Sequence, residues 1–119
     1  MSALIAAVLA FGVPAPAAPA EPPPPPPRVR CPDDVAGCRA VTGRIVYVER
    51  VDPDGDGDLH VVVAAGSISL PGLTSIDVER SLRPARDPQV GQVAGGAGPV
   101  YRGSFGQRQI QAVRFRVFR

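Results

Sequence analysis

After residue 40 the chain contains no segment that is long and regular enough to form a helix, and this limits the fold more than any other feature. Glycine or proline interrupts the sequence at short intervals, and no stretch of ten residues has a helical apolar period. The runs between these interruptions are rich in β-branched and aromatic residues, which are typical of strands. The sequence therefore predicts a small all-β domain. Its predicted strands are Val41–Val51, Leu59–Ala65, Thr74–Val78, Val90–Ala94 with Val100–Tyr101, and Gln109–Phe118.

The segments between these strands carry turn residues. Asp52–Asp58 joins two apolar runs and is predicted to form the tip of a hairpin. Gly95–Gly98 is predicted as another turn, and Arg80–Pro88, which holds two prolines, as a loop or a single helical turn. Gly43 indicates a bulge or a tight bend near the start of the first strand. Five strands in this order have the size of a small five-stranded barrel.

Residues 1–20 are predicted to be a signal peptide. Ala3–Val13 is an unbroken apolar run, shorter than the about 20 residues that span a bilayer. Small residues allow cleavage before Ala18 or before Glu21, although no lysine or arginine precedes the apolar run. The alternative is an apolar tail on a cytosolic protein. We expect the mature chain to be secreted or to lie in the cell envelope, without a transmembrane helix.

A proline-rich linker follows at residues 21–30. Pro22–Pro27 is an uninterrupted proline run, which adopts the polyproline II conformation and forms a stiff spacer of roughly 20 Å. Proline-rich segments also dock on aromatic grooves of partner domains. We favour the spacer, which holds the following domain away from the cell surface.

The domain at residues 31–119 begins with two cysteines, Cys31 and Cys38. Two cysteines in a small exported domain indicate a disulfide. A disulfide that closes so short a loop stabilises the fold by roughly 2–3 kcal/mol. A zinc site would need two more soft ligands, and His60 is the only histidine. We therefore predict a structural disulfide.

The order of short motifs in residues 41–118 resembles that of exported bacterial OB-fold proteins of unknown function. The acidic stretch Asp56–His60 is also similar to a turn in some of them. The resemblance implies an OB-like Greek-key barrel with a binding face, and no particular activity. The motifs that carry it are Gly43-Arg-Ile-Val, Leu59-His-Val-Val-Val, Thr74-Ser-Ile-Asp-Val, Val90-Gly-Gln-Val and Gln109-Ile-Gln-Ala-Val-Arg.

The acidic turn is a candidate calcium site. Asp52, Asp54, Asp56 and Asp58 lie at alternate positions, as in the opening of a calcium-binding loop. The twelfth position of such a loop, which is normally a bidentate acid, is Val63. The alternative is a solvated hairpin tip in which the glycines supply positive φ angles.

One resemblance suggests an enzyme. Val48–Asp58 followed by Leu73–Asp77 resembles staphylococcal-nuclease-like proteins, in which such aspartates hold calcium. The arginine expected before Asp77 is missing, and no acid follows Asp87 to form the acid–arginine pair. No serine lies in a Gly-x-Ser-x-Gly motif that could serve His60. We therefore predict a non-enzymatic module without a cofactor.

Arginine accounts for all thirteen basic residues, and the net charge is only +2. The acids are concentrated near the acidic turn, whereas the last 32 residues contain arginines and no acid. An OB barrel that binds single strands combines arginines with stacking aromatics. The alternative is a solvated basic edge that opposes sheet pairing. Outside the cytoplasm an anionic polymer or an envelope protein is a better expected partner than nucleic acid. The candidate binding face comprises Tyr47, Tyr101, Arg102, Arg108, Arg114 and Arg116, with Phe105 as a further aromatic residue.

Overall fold

The computed structural model of the chain describes residues 1–50, 55–103 and 106–119. The described residues form six strands and one short 3₁₀ turn, so the fold is all-β as the sequence predicts. None of these residues belongs to a helix long and apolar enough to cross a membrane. The elements are β1 (Cys38–Glu49), β2 (Leu59–Val63), β3 (Thr74–Val78), the 3₁₀ turn (Arg80–Leu82), β4 (Val93–Arg102), β5 (Arg108–Gln111) and β6 (Arg114–Phe118).

The strands pair in a closed ring. The first three are joined antiparallel in chain order, β3 pairs parallel with β5, and β5 pairs antiparallel with β4. Because β4 also pairs antiparallel with β1, the sheet returns to its first strand. The sixth strand pairs with β4 alone.

Strand β1 is long because it pairs with two other strands, β4 and β2. Its first half, through Arg44, pairs with β4, and its second half, from Ile45, pairs with β2. Gly43 lies just before this change of partner, where an added Cβ would come within 2.6 Å of the Ala65 Cβ. The glycine is needed here because Ala65 approaches this point of the strand closely. A register irregularity between Ile45 and Tyr47 turns Tyr47 to the outer face of the sheet.

The glycine-rich segment Gly95–Gly98 is not a turn, and the prediction for it was wrong. It forms the middle of β4, between β1 and β6. An added Cβ on Gly96 would lie 2.7 Å from the Ile76 Cγ2, and one on Gly98 would lie 1.8 Å from the Gln111 carbonyl oxygen. The glycines are needed because neighbouring chain segments approach this strand too closely for side chains.

The single strand predicted at Gln109–Phe118 is in fact two strands. Both strands pair with β4, but the register shifts by one residue between them, since Val100 lies opposite Ile110 whereas Ala97 lies opposite Arg114. The first of the two also pairs with β3, where the Ala112 N–H donates to the Asp77 carbonyl, and the second does not.

The core fills the interior of the ring. Alternate residues of β2 and β3 point inward and are fully buried, as period-two burial requires. The single helical turn predicted after β3 is present, and its Leu82 packs against this core. The core side chains include Ile45, Leu59, Val61, Val63, Ile76, Val78, Ala94, Ile110 and Ala112.

Residues 28–37, here called the strap, lie across the outer face of β1, β4 and β6. The Val29 N–H donates to Thr42 Oγ1 at 2.9 Å, and Arg114 Nη1 donates to the Arg30 carbonyl at 3.2 Å. The predicted disulfide between Cys31 and Cys38 is present, with its Cα atoms 6.0 Å apart. It links the strap to the first residue of β1.

Candidate binding site around Asp77

Two polar side chains face each other on the outer side of β2 and β3. His60 lies between the inward-facing Leu59 and Val61, and the register sets it directly opposite Asp77. The His60 Nε2 lies 3.6 Å from Asp77 Oδ1. The Asp77 side chain is only 6% exposed, and the His60 side chain is 32% exposed. A nearly buried carboxylate thus sits beneath a partly exposed imidazole.

Strands β4 and β5 complete the surroundings of Asp77. The Tyr101 hydroxyl donates to Asp77 Oδ2 at 2.5 Å, and Gln109 Nε2 donates to the Tyr101 hydroxyl at 2.7 Å. Tyr101 and Gln109 are cross-strand partners, so they share a face. The parallel pairing of β3 with β5 brings this pair beside Asp77. Burial, followed by the hydrogen bond to Asp77, raises the pKa of Tyr101 to about 12, so its hydroxyl remains a donor at neutral pH.

Asp58 adds a second carboxyl group to the site. Its N–H donates to Asp56 Oδ1 at 2.8 Å, which fixes the end of the acidic turn at the start of β2. Burial raises the pKa of Asp58 to about 6, and the charge of Asp77 together with a hydrogen bond to it adds to the increase. Asp56 acts in the same direction, and His60 opposes it. Two carboxyl groups therefore compete for protons on one face.

One oxygen of Asp77 has no donor when Asp58 is ionised. Oδ1 is buried, and in that state no described residue donates a hydrogen bond to it. Two arginines from neighbouring segments bind elsewhere, since Arg50 and Arg83 both pair with Asp87. Within residues 1–50, 55–103 and 106–119, no arginine forms an ion pair with Asp58 or Asp77. Buried polar atoms are normally paired, so an unpaired carboxylate oxygen calls for an explanation.

The residues of the predicted binding face lie in three places. Tyr101 belongs to the Asp77 site, and Arg102 and Arg108 form the next cross-strand pair of β4 and β5. Tyr47 lies opposite Val62 of β2 and is 55% exposed. The remaining two lie on β6, where Arg114 binds the strap and Arg116 stacks over Phe118 at 5.2 Å. The further aromatic residue of this prediction, Phe105, lies outside the described residues.

Half of the predicted calcium turn lies outside the described residues, namely Asp52 and Asp54. In the part of the chain that the structure describes, no three acidic, histidine or cysteine side chains group closely enough to hold a metal ion. Calcium binding by the complete turn remains a prediction.

The sequence contains one signal that Asp77 is a functional residue, and hydrophobic periodicity does not capture it. Its strand, Thr74–Val78, is entirely buried, and Asp77 is the only ionisable residue in it. A charged residue inside a short buried strand is rare unless it is paired or functional. Gln109 carried no comparable signal, because its role depends on the pairing of distant strands.

A scan of protein-family models finds none that matches the chain, and a search of curated proteins likewise returns no match.

Proposed function

We propose that this chain is an exported, non-enzymatic binding module with an OB-like Greek-key barrel. The observation that carries the proposal is the strand ring, in which β1, β2, β3, β5 and β4 follow one another and β4 returns to β1. A closed five-strand ring with one parallel pair between β3 and β5 supports a barrel of the five-stranded Greek-key kind.

The binding face we propose is the outer side of β1, β2 and β3, which OB folds use for their ligands. The exposed ring of Tyr47 and the half-buried side chain of Val62 lie opposite each other on this side. The Asp77 site lies next to them, because Val62 and His60 point to the same side of β2. Apolar contact area beside a few convergent polar groups is the usual composition of a ligand site.

Two features support export. The large apolar side chains of the N-terminal run, such as Leu4, Ile5 and Phe11, are almost fully exposed and pack on nothing in the domain. The disulfide is typical of proteins in oxidising compartments. Expression of the full chain in a bacterial host, fractionation, and N-terminal sequencing test this part. We expect a periplasmic product that begins at Ala18 or Glu21, and a cytoplasmic product that retains Met1 would contradict it.

Site-specific photo-crosslinking tests the binding face. A photoreactive phenylalanine analogue replaces Tyr47 on the proposed face in one sample and Val90, an exposed residue of the turn before β4, in another. We expect a discrete adduct with an envelope protein at position 47 and none at position 90. Equal labelling at both positions, or no adduct at position 47, would contradict the proposal.

A second ligand class is supported by one observation. Arg102 and Arg108 form a cross-strand pair beside Tyr101, which is the combination of cation and aromatic ring that single-stranded nucleic acids or other anionic polymers require. Fluorescence anisotropy with labelled oligo-dT and with polyphosphate tests it. Binding that weakens with salt and is lost in Arg102→Ser would favour this class over an envelope protein.

A further inference from the structure

We infer that the Asp77 site binds a guanidinium group, supplied by an arginine side chain of a partner polypeptide. This inference rests on the proposed function, because it names the ligand class of the same binding face. The first step of the argument is the unpaired oxygen. Asp77 Oδ2 accepts a hydrogen bond from the Tyr101 hydroxyl, whereas Oδ1 of the same nearly buried side chain accepts none within the described chain when Asp58 is ionised. A donor from outside would remove this deficit.

The second step concerns the charge that this donor carries. Glu49 pairs in register with His60, so Glu49 shares the outer face with Asp58 and Asp77. Three carboxyl groups therefore lie on one side of β1, β2 and β3. No arginine of the described chain pairs with Asp58 or Asp77, although the chain has thirteen. Apart from His60, whose imidazole pairs with Asp77 only when it is protonated, no cationic side chain of the described chain is paired with these two aspartates, so a cation from a partner meets an acidic surface.

The third step explains why the site suits a guanidinium group better than an ammonium group. Asp58 lies close enough to Asp77 for a hydrogen bond between the two carboxyl groups, so a planar fork of donors can contact both. The exposed ring of Tyr47 and the partly exposed ring of Tyr101 lie on the same outer surface, and guanidinium groups stack on aromatic rings. An ammonium group offers neither the fork nor the flat stacking surface.

Access to Oδ1 depends on His60. The imidazole lies 3.6 Å from this oxygen, beyond hydrogen-bond distance, and a third of it is exposed. Rotation of this side chain toward solvent would break no hydrogen bond in the described chain. The guanidinium would then take the place of the imidazole next to Oδ1.

Isothermal titration calorimetry on the protein purified after expression of the full chain tests the inference. The probes are N-acetyl-arginine amide and N-acetyl-citrulline amide, which have the same shape and differ in charge. We expect saturable millimolar binding of the arginine compound and no measurable binding of the citrulline compound. Equal binding of the two compounds, or no binding of either, would overturn the inference without any mutation.

Two variants locate the interaction. Asp77→Asn keeps an acceptor for Tyr101 but removes the charge, and we expect it to weaken arginine binding about tenfold or more. Asp34→Asn removes the same charge from an exposed residue of the strap and should leave the affinity unchanged. An unchanged affinity in Asp77→Asn would overturn the inference.

The outcome is separable from that of the proposed function. A discrete cross-link at position 47 combined with no arginine binding would reject the guanidinium ligand and leave the binding module in place. Loss of the cross-link itself would reject the binding face.

Discussion

The two outer faces of this sheet differ in how their polar groups are satisfied. On the face formed by β1, β4 and β6, the strap lies across the strands, and the Thr42 hydroxyl and the Arg114 guanidinium both bind its backbone. On the face formed by β1, β2 and β3, no segment of the described chain lies across Asp77 in the same way, and one of its oxygens has no donor when Asp58 is ionised. The covered face is therefore a structural element, and the open face is where we expect a ligand.

The strands that belong to only one of the two faces also differ in whether they contain glycine. An added Cβ on Gly95 would lie 2.8 Å from the Val29 Cγ2, so this glycine makes room for the strap. No glycine makes similar room on β2 or β3, because neither strand contains one. The comparison gives four predictions, in order of decreasing effect.

The largest effect is expected from Gly98→Ala. The new Cβ would meet backbone atoms, because the Gln111 carbonyl oxygen lies 1.8 Å from its position. Backbone cannot move aside as a side chain can, so we expect a loss of about 3 kcal/mol or more in the free energy of unfolding, measured by urea denaturation. Gly96→Ala in the same strand meets only the Ile76 side chain and serves as the comparison. A cost for Gly96→Ala equal to that for Gly98→Ala would contradict this packing.

Removal of the disulfide should lower the stability of the protein through the covered face and leave the binding face unaffected. We expect the double variant Cys31→Ser/Cys38→Ser to lose roughly 2–3 kcal/mol of stability in urea denaturation. A reductant should destabilise the parent protein to the same extent and leave the variant unchanged. If the variant also lost the cross-link at Tyr47 while folded, the two faces would not be independent.

Tyr101→Phe tests the hydrogen bonds of the open face. The change removes the donor to Asp77 Oδ2 and, above the pKa of Asp58, leaves both oxygens of a buried carboxylate without one. We expect a loss of about 1–3 kcal/mol in urea denaturation. Tyr47→Phe deletes the same hydroxyl from an exposed ring and should change stability by no more than about 0.5 kcal/mol. Equal effects of the two substitutions would show that the Tyr101 hydroxyl does not support Asp77.

The smallest effect concerns pH. The pKa of Asp58 is raised from 3.8 to about 6, so the folded state binds more protons than the unfolded state between these values. Its contribution to stability is present below about pH 4 and is lost as the pH rises through about 6. Urea denaturation from pH 4 to pH 7 should therefore show a more negative slope for the parent protein than for Asp58→Asn. Identical slopes would contradict the raised pKa of Asp58 in the folded state.

Much of the fold could be predicted because its signals are local. Strand β3 has the predicted limits, the predicted strand at Leu59 begins where β2 begins, and the Cys31–Cys38 pair lies close in sequence. The segment Gly95–Gly98 could not be assigned from local signals. Its glycines indicate a turn when the segment is considered alone, whereas in the structure they are required by packing within the sheet. The cause is the close approach of Ile76 and Gln111, which only the assembled sheet reveals.

The candidate site was harder to predict for the same reason. His60 and Tyr101 were both identified from the sequence, but as a strand histidine and a stacking ring, and Asp77 was named only through the nuclease resemblance. The three residues meet through the parallel pairing of β3 with β5 and the antiparallel pairing of β5 with β4. A single sequence does not specify which distant strands pair, so neither the hydrogen-bond chain nor the unpaired oxygen could be inferred.

The most direct test of the difference between the two faces is to map where the arginine compound binds. Two-dimensional ¹H–¹⁵N NMR spectra of the protein, recorded during a titration with N-acetyl-arginine amide, report each backbone amide separately. We predict that the saturable shifts cluster at the amides of His60, Asp77 and Tyr101, with the strap amides of Val29 and Arg30 unchanged. Shifts confined to the strap and β6 would contradict the account, because they would make the covered face the ligand site.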